Sequence, residues 1–146
     1  MSGAWKDTGK AFLTPDGGLA VPYINQTGGA SVKGQTVHIT ADGTVGLTAQ
    51  GVPDCIGIVY QSGIPAGDLV YVVVSGIAEV LFIGNATAGH LARTFIAADG
   101  GFVAGQALSE AVPLPPFDSD KHFAEIGHVI DSRVGAGLAR VNLHFN

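Results

Sequence analysis

The chain has 146 residues, 47% of them hydrophobic and only 13% charged, against about 25% charged in an ordinary globular domain. That composition argues against intrinsic disorder; the length suits one domain or two small lobes on a shared core, with surface that other subunits or a larger partner cover. A formal net charge of -5, with the lysines scattered at Lys6, Lys10, Lys33 and Lys121, argues against sequence-independent nucleic-acid binding.

In chain order, residues 1–30 come first as an N-terminal arm. They hold Trp5, Phe12 and Tyr23, Pro15 and Pro22, and the turns Asp16-Gly17-Gly18 and Gly28-Gly29. The segment reads equally as a strand-adding arm laid against a partner and as a frayed terminus with an aromatic or two tucked onto the core. Its first residues lack a secretory pattern. Glycine and Asp-Gly punctuation then cuts residues 31–146 into short apolar runs, which predicts strands and turns. Val37–Thr40, the Asp42-Gly43 turn and Thr44–Leu47 make a hairpin. Ile56–Tyr60, Leu69–Val74 and Ile77–Ile83 follow, too interrupted for a bilayer span. Phe117–Ile130 has weak helical character, and Ala139–Phe145 alternates cleanly as a last strand.

The runs repeat in order. Val32–Gln35 is answered by Thr87–His90, Thr40–Gly43 by Ala97–Gly100, Ile56–Val59 by Ile126–Val129, and Ala66–Val72 by Ala136–Asn142. The pattern predicts an all-β, compact β-barrel or β-tulip-like body built from halves of about 31–83 and 84–146. The second half carries a loop insertion at about 107–120, with Pro113, Leu114, Pro115, Pro116 and Phe117, where proline forbids ladder pairing.

No catalytic, cofactor or metal constellation is legible. The single Cys55 rules out an intrachain disulfide and reads as a small buried hydrophobe. His38, His90, His122, His128 and His144 show no metal-ligand spacing. Asp118-Ser119-Asp120 reads as a solvated turn. Nucleophile-elbow and phosphate-loop motifs are absent from the sequence. The chain is therefore expected to be no enzyme.

The serial order Val32–Val37, Thr40–Gly43, Ile56–Val59, Pro65–Val70, Val74–Val80, then Ala88-Gly89 and Ala98–Gly100, resembles the head decoration (cement) proteins of tailed bacteriophages over about residues 30–145. The resemblance implies a usually trimeric β body on the outer capsid surface and an N-terminal arm on the major capsid protein, made in the host cytoplasm and carried on the virion. The dispersed cations and the interrupted apolar runs lead to the expectation of no nucleic-acid or membrane partner. Trp5, Phe12 and Tyr23 are the expected capsid anchors. Leu81, Phe82 and Ile83 are candidates for self-association, or else core. Two alternatives stand beside it. A carbohydrate- or receptor-binding virion module would use Pro113–Phe117 as its platform. A trimeric dUTPase-like hydrolase is suggested by Gly127–Ser132, although the Arg-Ser-Gly phosphate segment of that family is missing.

Overall fold

Wherever an apolar run alternates between two glycine-bearing turns, a strand forms. The computed structural model describes residues 10–145, which are nearly all β. The strands are β1 (Phe12–Leu13), β2 (Gly18–Asn25), β3 (Thr36–Ala41), β4 (Thr44–Leu47), β5 (Gly57–Val59), β6 (Leu69–Phe82), β7 (Leu91–Arg93), β8 (Leu108–Glu110), β9 (Glu125–Val129) and β10 (Gly137–Leu143). A short helix α1 (Ser119–Ala124) precedes β9.

All the strands share one hydrogen-bonded sheet that curls into two rings. The run β2-β4-β3-β5-β6 closes because β2 also pairs with β6. Within it β2 and β4 are parallel, Asn25 opposite Val45, and the remaining pairs are antiparallel. At 14 residues β6 outruns that barrel. Around Gly76 it changes neighbours, pairing with Gly18 of β2 on one ladder and Leu143 of β10 on another. Gly76 has φ +80°, and a Cβ there would strike the Gly17 carbonyl oxygen, so only glycine fits. The second ring runs β6-β10-β9-β7-β8, and a parallel bridge from Phe82 to Ala107 returns it to β6.

The second ring repeats the pairings of the first, with the far half of β6 standing where β2 stands. Gly57 pairs with Val37 and Gly127 with Ala92. Val59 pairs with Val72 and Val129 with Val141. The loop contacts repeat as well: Gly34 N–H donates to Val59 O and Gly89 N–H to Val129 O, at 2.9 and 2.8 Å. Ser62 Oγ accepts from Lys33 N–H at 2.8 Å, and Ser132 Oγ from Ala88 N–H at 2.9 Å.

Packing follows the repeat. The first core gathers Val37, Val45, Val59, Val70 and Val72. By strand register the matching positions are Ala92, Ala107, Val129, Ala139 and Val141, all in the second core. Three valines have become alanines there, and the lost volume is returned by Phe82, fully buried on β6. Its counterpart in the first ring is Asn25, also fully buried. Asn25 Nδ2 donates to the Gly29 and Ile64 carbonyls at 3.0 and 2.8 Å, and Oδ1 accepts from Thr27 N–H at 2.9 Å, satisfying the amide.

The structure differs from the sequence pattern in three places. Residues 18–25 form a wall of the first barrel: Tyr23 packs on its core and Asn25 lies opposite Val45, Ala20 is buried in the larger core, and β4 and β6 satisfy the backbone on either side. Ala97–Gly100 does not match the Thr40–Gly43 hairpin; it sits in a longer loop between β7 and β8. The final strands align one residue away from the Ala-Gly match, since Tyr60 N–H donates to Tyr71 O where Ile130 N–H donates to Arg140 O. The turn before β10 is one residue shorter than the turn before β6, a gap that matching glycines cannot reveal.

Candidate interaction surfaces

The long β7–β8 loop and the Pro-rich segment rest on an ionic cluster around Arg93, whose residue surface is only 4% exposed. Its Nη1 and Nη2 donate to the two Asp99 carboxylate oxygens at 2.7 and 3.0 Å, and its Nε donates to Glu110 Oε2 at 3.0 Å. Lys121 Nζ reaches Glu110 Oε1 at 2.7 Å. Asp99 also accepts from Ile96 N–H, and Gln50 Nε2 donates to the Ile96 and Asp99 carbonyls. The guanidinium thereby ties the β7–β8 loop to β8, and Lys121 and Gln50 extend the cluster to α1 and to the loop after β4. Burial pulls the Arg93 pKa down, but the bonds to Asp99 and Glu110 outweigh it and hold it above its ordinary value. The Arg93 bonds hold Asp99 below the usual carboxylate range. Burial pushes Glu110 up, yet Lys121 and Arg93 carry it below.

On this base stands the Pro113–Phe117 segment, containing a cis Pro115–Pro116 peptide. It is exposed throughout. Together with Leu91, His122 and Glu125 it walls a cavity of about 320 Å³. Asp118 caps α1 by accepting from Lys121 N–H at 3.2 Å, and the Phe117 ring lies 5.2 Å from that of His122. Residues 108–110, inside the expected insertion, form β8 instead.

Large apolar side chains face outward in several places: Leu13 is 79% exposed, Phe117 74%, Leu114 83% and Val134 91%. Leu13 belongs to β1, an edge strand whose ladder is with β2. Of the expected anchors, Trp5 lies outside the described residues. Phe12 is half-buried and packs edge-on to Tyr71 and Tyr60, centroids 4.8 and 5.6 Å away. Tyr23 is half-buried against the first core. Both are therefore largely engaged within their own chain. Among Leu81, Phe82 and Ile83, Phe82 is sealed in the core and its neighbours are half-buried.

The hydrolase-like segment also has a structural occupation: Arg140 Nε and Nη2 donate to both Asp131 carboxylate oxygens at 2.8 and 3.0 Å. That bond holds Asp131 below its usual range. Cys55 packs against the larger core, and burial pushes its thiol up to about 12, far from a reactive thiolate. Sequence spacing missed one grouping, in which His128, His144 and Glu125 meet across β9 and the end of β10. The alternation of Arg140, Asn142 and His144 was the available signal, but the pairing partner was not.

No protein-family model matches this chain, and no curated protein matches it. No helix among the described residues is long and apolar enough to cross a membrane.

Proposed function

We propose that the chain decorates and stabilises the outer surface of a bacteriophage head, working as a homotrimer that bridges major capsid protein subunits. The observation that carries this reading is the coexistence of a stiff double ring with outward apolar side chains at Leu13, Leu114, Phe117 and Val134, on a chain only 13% charged. Such area contributes roughly 25 cal/mol per Å² when covered, before ordering costs. Repetition over many capsid sites multiplies a modest local gain. A protein that binds only the expanded shell stabilises that shell by linkage. The edge strand β1 supports strand addition to a capsid subunit, with Trp5 a few residues upstream of that edge in sequence.

The test mixes purified full-length protein with undecorated expanded capsids and measures co-sedimentation and thermal endurance. Decorated capsids should sediment with the protein and survive to higher temperature; failure of both removes the proposal. The cavity beside Pro113–Phe117 favours a second reading, a carbohydrate- or receptor-binding virion module. Glycan-array binding that is lost on deleting residues 112–118, with capsid attachment absent, would select it. Both readings are non-enzymatic, and absence of hydrolysis across a nucleotide panel is expected.

A further inference from the structure

We propose that Glu125, His128 and His144 form a binding site for a divalent transition metal of the zinc class, independent of any capsid role. Three features of the backbone bring them together. His128 on β9 lies opposite Asn142 on β10, so His144, two residues beyond Asn142, falls diagonally across the same face. The strand pair continues far enough to hold it there, since His144 N–H donates to Ile126 O at 2.9 Å. Glu125 would point to the opposite face in a regular strand. However, β9 carries one extra residue: Ala92 pairs with Gly127 but Arg93 with Glu125. This bulge resets the alternation and turns the carboxylate toward the histidines.

The two ring nitrogens stand at a separation that suits a shared ion. His144 Nε2 lies 3.1 Å from His128 Nδ1. Two nitrogens bound tetrahedrally to one zinc at its usual bond length stand about 3.3 Å apart, so the rings need only turn their lone pairs onto the ion. Glu125 Oε2 is 3.3 Å from His144 Nδ1. A carboxylate on the far nitrogen fixes the histidine tautomer and leaves the Nε2 lone pair facing His128. One potential ligand atom from each of the three residues lies within 4.8 Å of the others. Both histidines are exposed, giving the ion an entry path and leaving its remaining positions to water. His38 is a contrasting case: Asp54 Oδ2 sits 2.7 Å from its Nδ1, a histidine–carboxylate pair outside the three-residue cluster.

The experiment titrates untagged full-length protein with zinc chloride by isothermal calorimetry, and follows the melting temperature with zinc and then with excess chelator. Expected are one saturable equivalent and a zinc-dependent rise in melting temperature that the chelator reverses. His128→Ala and His144→Ala should each weaken binding by at least about tenfold, and Glu125→Gln should also weaken it. His38→Ala should bind as the parent does. His128→Gln and His144→Gln repeat the test with polar bulk retained, and circular dichroism checks that each variant is folded. No saturable zinc binding by the parent would overturn the proposal. So would affinity unchanged in the folded His128 and His144 variants, or binding that His38→Ala abolishes.

Discussion

Replacing Asp99 with alanine removes two hydrogen bonds from a guanidinium that has almost no access to water. Breaking a buried ion pair from one side costs about 3–5 kcal/mol, because the remaining charge stays desolvated. Here Arg93 keeps Glu110, and the Asp99 side chain is 17% exposed, so its charge is not fully desolvated. Both points place Asp99→Ala at the lower end, about 3 kcal/mol. For a domain of this size that is a fall in melting temperature of roughly 6–12 °C, measured by circular dichroism at pH 7. The pH dependence adds a second constraint. Asp99 and Glu110 both titrate below their ordinary values in the folded chain, so the unfolded chain takes up protons first as acid is added. Their stabilisation is complete above about pH 5 and is lost as pH falls through about 4 and below. Parent and Asp99→Ala should therefore differ most at neutral pH and converge toward pH 3. A variant that melts within about 2 °C of the parent, or a gap that persists undiminished at pH 3, would refute this account of the cluster.

Gly127→Ala should cost at least about 2 kcal/mol in urea unfolding, since its Cβ would overlap the Asn142 carbonyl oxygen. Gly57→Ala, whose Cβ would meet Val73 O at 2.7 Å, should behave alike; parent-like midpoints would deny the crowding. Removing residues 1–9 should weaken capsid attachment in the co-sedimentation assay, and undiminished attachment would count against a role for Trp5. Removing residues 1–25 should prevent folding, because it takes away β2, and a cooperative melt from that truncation would contradict the closed first ring. Cys55 should react slowly with a disulfide reagent at pH 8 and rapidly once urea is added, given a thiol held near 12; fast reaction in the folded state would show the sulfur to be accessible.

Much of the architecture was visible in the residues, and what was hidden has physical causes. Alternation in Val37–Thr40 and Ala139–Phe145 marks strands, and both form: β10 alternates in burial up to its end at Leu143, whereas Ile39 of β3 is exposed. The glycines reveal the repeat because Gly34 and Gly89 share a positive φ, while a Cβ at Gly57 or Gly127 would meet equivalent neighbours, Val72 and Val73 in one ring and Val141 and Asn142 in the other. By contrast, the aromatics of residues 1–30 suggested an arm, yet Gly18–Asn25 carries alternating burial that Pro22 and two flanking glycine turns obscured. In sequence, Leu81-Phe82-Ile83 suits self-association or the core, and nothing local singles out Phe82 as the buried one. Only the alanines at 92, 107 and 139, which are distant in sequence, show that a large ring is needed inside. The Arg93 cluster and the His128–His144 pair were unreadable for one shared reason. Each joins side chains whose proximity depends on register, that of β7 on β8 for Arg93 and Glu110 and that of β9 on β10 for the two histidines.

The uninterrupted passage of β6 from one ring into the other gives the molecule no joint. A pull applied to either half travels along covalent bonds into the interior of its twin, and neither can open without dismantling a wall of both. The two halves are thus expected to melt as a single cooperative unit, with no half-open intermediate, and to move as one rigid strut under tension.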